Sequence, residues 1–477
     1  ATVDAVASHG MNLDNLVSYR WELSLGDTTL TKEEFDALVA LKSPLVQIRG
    51  QWVQLDPAQI EAAIRFWQKH DLEADVALQE AMRLGLSTDS IDGLQVEDVQ
   101  FEGWLADWMA RFTQNEPLTV LPQPTTLHAQ LRPYQQYGYS WLDFLRRWGM
   151  GACLADDMGL GKTIQTLSML LREKETRGDL PGPVLLIAPT SVVTNWAKEI
   201  ERFAPNLRAF VHQGMHRLRG EAFVEQAKAT ELVLTSYPLV RRDEAMLNLV
   251  AWFGVILDEA QNIKNAETKQ ARAIRQLPTG FRMALTGTPV ENRLSELWSI
   301  MQFLNPGYLG ARQTFRQRFA LPIERYENAE AAQQLRKLVS PFILRRVKTD
   351  PTVIQDLPEK QETKVYCHLS PEQATLYEAV VREALQQIES AEDDLQRRGQ
   401  VLAMLMKLKQ ICNHPAQFLH QINAEYTPSE EEARSGKLGR LTEMLEEILA
   451  VNDRTLIFTQ FAEMGHLLRG YLQQRLG

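Results

Sequence analysis

The middle of the sequence predicts an α/β fold: a parallel sheet covered by helices on both faces, preceded by an α+β block and followed by helices and the opening of a second α/β unit. Three observations carry this. Short apolar runs at residues 184–188, 232–234, 255–257 and 282–285 alternate with helical stretches between residues 131 and 292. Such continuous apolar strands are what a sheet buried on both faces requires. A glycine-rich turn at residues 156–163 leads directly into one helix, and the run at 255–257 ends in paired carboxylates, Asp258 and Glu259.

Before this core, helix start signals mix with strand-like pieces. Thr31 and Glu34 form a capping box, and Asp56 before Pro57 reads as an N-cap followed by proline at the first helical position. Residues 44–55 alternate apolar and polar side chains around Gly50, which predicts a hairpin. The tryptophans at 21, 52, 67, 104 and 108 read as core, and the proline-rich stretch 117–126 reads as a linker. After the core, residues 295–430 are mostly helical, with Ser370 and Pro371 starting a helix that runs toward Ile388. Residues 437–450 predict an amphipathic helix, 455–458 a buried strand, and 463 onward another helix. The expected division is an accessory domain at 1–125, an ATP-binding lobe at 126–305, a helical insertion and linker at 306–432, and a truncated second lobe at 433–477. Ala at residue 1 and a chain end inside a helical pattern predict a piece of a larger protein.

Composition narrows the function. With 477 residues, 44% of them hydrophobic and 23% charged, the chain is long enough for several packed domains and is too apolar for a disordered one. A formal charge of −10 argues against coating nucleic acid by bulk electrostatics, so any DNA contact must be a local basic groove. Cys153, Cys367 and Cys412 are too dispersed for a zinc or redox motif. The apolar runs have strand length, so no membrane partner is expected, and the protein reads as cytoplasmic.

The strongest chemical signal is the turn Asp156-Asp157-Met158-Gly159-Leu160-Gly161-Lys162-Thr163. Glycines let backbone N–H groups approach phosphate oxygens, and the following helix N-terminus adds partial positive charge. Lys162 would then hold the β- and γ-phosphates of ATP, and the Thr163 hydroxyl would ligate Mg²⁺. Asp156 stands where the general phosphate-loop pattern has its first glycine. At the carboxyl end of a parallel strand, Asp258 would hold Mg²⁺, and Glu259 would orient and deprotonate the attacking water.

Taken in order, these motifs resemble those of superfamily-two helicase motors, and their wording is similar to the Swi/Snf-type remodelling ATPases. Residues 131–135 with Gly138 and Trp141 look like the adenine-reading segment, which makes Gln135 the implied base contact. Asp157, Gly159, Gly161, Lys162 and Thr163 match the phosphate loop. Thr190 and Trp196, and Thr235 with Ser236, resemble segments that touch one DNA strand. Thr286 and Thr288, within Leu285-Thr286-Gly287-Thr288-Pro289, resemble the motif that links ATP state to DNA grip. Residues 344–348 and 357–360 are similar to the inter-lobe linker, 411–415 to the end of the helical insertion, and 455–461 to the first motif of lobe two. The block before the motor resembles the accessory domain of bacterial members.

The resemblance covers residues 128–465 and implies a RecA-like P-loop lobe, ATP and Mg²⁺ as cofactors, and a double-stranded-DNA translocase that displaces bound protein without separating strands. Gln261 replaces a histidine common in relatives; an amide still bonds across the site but does not titrate near neutral pH. It implies coupling that is altered rather than abolished. The family's arginine fingers fall after residue 477, so the chain is expected to bind ATP yet hydrolyse it poorly. By composition alone, Arg345, Arg346 and Lys348 read as a solvated basic face, and His414 as a packed, hydrogen-bonded histidine rather than a metal ligand. A strand-separating helicase and an ATP-gated protein-binding module acting through the N-terminal block are the alternatives.

Overall fold

The computed structural model describes residues 2–4, 16–25, 28–40, 45–48, 51–54, 57–69, 73–86, 90–91, 94–95, 99–113, 118–287, 293–353, 362–390, 393–421 and 427–476. Gly50, Asp56, Thr288 and residues 357–360, to which the sequence assigns roles, lie outside them. The chain forms two compact units, Ala1–Leu357 and Pro358–Gly477.

The first unit is built on a seven-stranded, wholly parallel sheet. Its strands in chain order are β1 (Ala152–Leu154), β2 (Val184–Ala188), β3 (Ala209–Val211), β4 (Leu232–Ser236), β5 (Trp252–Asp258), β6 (Thr279–Leu285) and β7 (Ile343–Leu344). In space the order is β3-β4-β2-β5-β6-β1-β7. Every residue of β2 and β4 is buried, as strands covered on both faces should be. Three helices contribute to the site at the strand ends: α1 (Pro133–Arg147), α2 (Lys162–Arg177) and α3 (Thr190–Phe203). This is the expected α/β, RecA-like parallel-sheet architecture.

Register places the functional ends in one row. Asp258 of β5 pairs with Leu285 of β6, Leu285 with Leu154 of β1, and Leu154 with Leu344 of β7. The four strands therefore finish level, and the segments they lead into emerge at the same carboxyl edge.

The N-terminal residues form an α+β block, as expected. A four-stranded sheet runs in the order 100–101, 2–4, 16–20, 73–77, and 45–48 pairs with 51–54 as the predicted hairpin. The Thr31 capping box is present: the Thr31 N–H donates to Glu34, and the Glu34 N–H donates to the Thr31 hydroxyl. Trp21 packs edge-on against Phe66. Leu105, Met109 and Phe112 of helix Gly103–Phe112 belong to the same core as the large sheet, with Phe112 edge-on to Phe342. The stretch read as a linker is docked: the Leu121 N–H donates to Ser140, its carbonyl accepts from Gln136, and Glu175 accepts from Thr125 and Thr126.

The second unit is helical among its described residues. Helix Pro371–Glu389 starts at Ser370 with the expected cap, and helices Gly436–Ala450 and Ala462–Arg475 fall where the periodicity predicts. His414 is fully buried; its Nδ1 accepts the Ala416 N–H, and its other ring nitrogen meets the Glu431 carbonyl at 2.9 Å. One expectation is corrected. Residues 455–458 form no strand and are exposed, Leu456 at 83% and Phe458 at 88%. A buried strand needs ladder partners on its sides and helices on its faces, and no strand lies in this unit among the described residues. No helix among the described residues is long and apolar enough to cross a membrane.

β1 is held at its start by Asn305, which is 1% exposed. Its side-chain carbonyl accepts the Gly151 N–H at 2.9 Å, and its amide donates to the Gly151 carbonyl at 3.2 Å. Asn305→Ala leaves both buried groups unpaired, at on the order of 1–3 kcal/mol for each. Urea unfolding should show that loss, and Asn305→Asp should recover the bond from the Gly151 N–H only.

Candidate nucleotide-binding site

β1 runs into the glycine turn, and α2 begins at Lys162. Gly159 and Gly161 sit at φ +85° and +78°, a left-handed region that side chains with a Cβ resist, so the turn requires glycine at both places. Asp156 is not among the positive-φ positions, so its place needs no glycine. The Lys162 ammonium donates to the Asp156 carbonyl at 2.6 Å. Burial pulls its pKa below the usual lysine range, against the attraction of Glu259, Asp156, Asp258 and Asp157. Gln135, the third residue of α1, accepts the Arg132 N–H at 2.9 Å and donates to the Leu160 carbonyl at 3.2 Å. Its expected partner is a base; here its amide rests on the backbone of the turn.

Across the row, β5 delivers the carboxylates. Asp258 is 9% exposed; its Oδ2 accepts the Trp196 indole N–H at 2.7 Å and its Oδ1 the Glu259 N–H at 2.9 Å. Burial raises its pKa above the usual carboxylate range, although the Trp196 bond opposes this. Glu259 takes a left-handed backbone, φ 50°, which is strained for a residue with a side chain and turns the chain sharply off the strand. The buried Tyr237 hydroxyl donates to the Asp258 carbonyl at 2.8 Å. Gln261 donates to Glu259 Oε2 at 2.7 Å and accepts from the Thr286 hydroxyl at 3.0 Å. An unbroken chain of hydrogen bonds thus runs from the end of β6 to the Glu259 carboxylate, through the Gln261 amide.

The structure brings together Gln135, Asp157, Gly159, Gly161, Lys162, Thr163, Asp258, Glu259, Gln261 and Thr286 at one sheet edge. Three residues expected on DNA-touching segments have buried side chains. Trp196 is 2% exposed, because its ring lies on the inner face of α3 and its N–H is committed to Asp258. Thr235 and Ser236 are buried at the end of β4, with the Thr235 hydroxyl donating to the His212 carbonyl. Thr190, at the start of α3, is exposed.

The basic cluster is also corrected in part. Arg345 and Lys348 are exposed, whereas Arg346 reaches into the site. Its Nε donates to Asp156 Oδ1 at 2.9 Å, its Nη2 to Asp156 Oδ2 and to Gln165 Oε1 at 2.7 Å, and its Nη1 to the Tyr134 carbonyl. The guanidinium also lies 5.2 Å from the Tyr134 ring centroid. Asp156 is fully buried. The sequence held a signal for this pair: an acid fed directly from a buried strand must have a cation somewhere.

Arg346→Met strands the buried Asp156 carboxylate, and a broken buried pair costs about 3–5 kcal/mol. Combining it with Asp156→Leu should restore most of that loss in urea unfolding, because both charges are then gone.

Comparison with known proteins gives the family. A family model described as the SNF2-related domain matches residues 134–417, and one described as SNF2 helicase protein matches residues 1–86. The chain is 43% identical over 478 residues to the candidate ATP-dependent helicase/translocase YwqA of Bacillus subtilis, covering 98% of this chain and 51% of that one. It is 33% identical over 385 residues to the ISWI chromatin-remodeling complex ATPase CHR11 of Arabidopsis thaliana, covering 80% and 36%. A solved SWI2/SNF2 ATPase core from Sulfolobus solfataricus, in complex with double-stranded DNA, is 42% identical, covering 75% of this chain and 72% of that one, with a TM-score of 0.48. The chain spans about half the length of the Bacillus relative and about a third of the plant one. With the phosphate turn, the carboxylate pair and the intervening sheet all inside the matched region, the chain belongs to the SNF2-related family.

Proposed function

We propose that this chain is the ATP-binding part of a motor that hydrolyses ATP to move along double-stranded DNA and displace bound protein, without separating the strands. The observation that carries the reading is the single sheet edge where a left-handed glycine turn with Lys162 faces the Asp258–Glu259 pair, itself wired to Thr286. The names of YwqA and CHR11, a helicase/translocase and a chromatin-remodeling ATPase, support the same class.

In this reading, backbone N–H groups of the turn and Lys162 bind the phosphates, and Gln135 stands beside the turn toward the base. The donor set fits a magnesium ion: no described protein group takes the Thr163 hydroxyl, and each Asp258 oxygen keeps a lone pair after its one hydrogen bond. Thr163 and Asp258 would hold the ion, which when bound neutralises phosphate charge. Glu259 accepts the proton of the attacking water, and its bond from Gln261 fixes the carboxylate that does so. Thr286 reports the state of that carboxylate to the end of β6. DNA contact falls to exposed groups at this edge, Thr190 and the basic Arg241 and Arg242 at the end of helix Tyr237–Arg242. Hydrolysis by this chain alone should be slow, since Arg346, which reaches the turn, is committed to Asp156 rather than free to meet phosphate.

The decisive experiment measures ATP hydrolysis in the longest natural chain containing this sequence, with double-stranded DNA, single-stranded DNA or RNA. Duplex DNA should stimulate best, and Lys162→Ala and Glu259→Gln should each lower the rate by about 10² or more. Lack of duplex stimulation would overturn the DNA reading, and strand displacement in the same preparation would favour a helicase.

A pH dependence arises from Asp258. Its folded pKa lies above its unfolded value, so its contribution to stability is full below the unfolded pKa and is lost as pH rises through the folded one. Magnesium binds only the ionised form, so Mg²⁺ affinity should fall on acidification at a pH above the ordinary carboxylate midpoint of about 4. Trp196→Phe removes a bond that favours the charged form and should move that midpoint further up in a titration monitored by fluorescent-nucleotide binding.

A further inference from the structure

We infer that Lys348 is a second phosphate-binding lysine of the nucleotide site, supplied by the segment after β7. The inference rests on the ATP reading of that site and adds to it a residue and a second stretch of chain.

The backbone carries residues 344–348 along the phosphate turn. Beyond the paired residues of β1 and β7, the Ala155 N–H donates to the Leu344 carbonyl at 2.7 Å and the Asp157 N–H to the Arg346 carbonyl at 3.0 Å. The Lys348 N–H then donates to Asp157 Oδ2 at 3.0 Å. The Arg346 guanidinium pins the middle of this run to Asp156 and Gln165. The segment is therefore fastened to the turn on both sides of its midpoint.

That fastening brings the Lys348 side chain over the turn. A Cβ built on Gly159 would lie 2.9 Å from the Lys348 ammonium nitrogen. The residue is exposed, and its ammonium makes no hydrogen bond or ion pair with a described residue. The nearby Asp157 oxygen already accepts the backbone N–H of Lys348 itself. A cation thus lies beside Gly159, three residues before Lys162 in the same turn. An anion of several charges can bridge two lysines and the N–H donors of one turn. The polyphosphate of a nucleotide has that charge, and a flexible ammonium suits phosphate as a point charge.

The test is titration of the full chain with a fluorescent ATP analogue and Mg²⁺, comparing wild type, Lys348→Ala, Lys348→Arg and Lys162→Ala, beside thermal unfolding without nucleotide. Lys348→Ala should weaken binding about tenfold, with an unchanged unfolding midpoint in the absence of nucleotide. Lys348→Arg should keep most of the affinity, and the Lys348→Ala deficit should shrink as salt is raised. Wild-type affinity in Lys348→Ala alongside a large loss in Lys162→Ala overturns the inference and leaves the ATP reading standing. Wild-type affinity in Lys162→Ala overturns the ATP reading, and this inference with it.

Discussion

The buried pair between Asp156 and Arg346 is the contact on which the geometry of this site depends. A carboxylate with no exposure is untenable without compensation, and here both oxygens are taken by one guanidinium whose remaining N–H groups go to Gln165 and the Tyr134 carbonyl. That one group joins the first residue of the phosphate turn, the first turns of α1 and α2, and the chain leaving β7. The turn is therefore tied to three other elements, and its two left-handed glycines need only supply the tight bend. Asp156 in place of a glycine is an anchor, consistent with a backbone conformation there that makes no demand for glycine.

The acidic side of the site is organised by a different device. Asp258 is positioned from behind by Trp196 and Tyr237, both buried, so its carboxylate and its carbonyl are each held by an aromatic residue of the core. Glu259, one residue on, is oriented from the front by Gln261 and through it by Thr286. Neighbouring carboxylates thus have separate tasks because their supports come from separate elements. A neutral amide in the middle of the Thr286–Glu259 chain passes on geometry without exchanging a proton.

Much of this is legible in the sequence because it is written locally. The run 184–188 coincides with β2, the Ser370 and Thr31 caps start their helices, and the glycine turn and carboxylate pair lie at strand ends as periodicity requires. The illegible part depends on distant partners. β7 has two residues, too few for any pattern, and exists because β1 offers an open side. Arg346 reads in sequence as one of three surface cations, since nothing within its own segment shows Asp156. The burial of Trp196 on the inner face of α3 and its bond to Asp258 are tertiary facts that its own segment does not show. Conversely, residues 455–458 have strand-like sequence and no strand to join among the described residues of their unit, which shows that an apolar run proposes a strand and only ladder partners make one. Thr288 falls outside the described residues.

The position of β7 at the sheet edge has a consequence for how the molecule assembles. Asp156 and Arg346 are 190 residues apart in the chain. Closing so long a loop costs entropy before any contact rewards it. Synthesis runs from the N-terminus, so the turn, its helix and the carboxylate strand are all made well before the arginine that completes them. Until then a carboxylate destined for the interior lacks the guanidinium that takes both its oxygens and is better left in water. A nascent chain can therefore carry every recognisable motif of the site before the contact that ties them together can form.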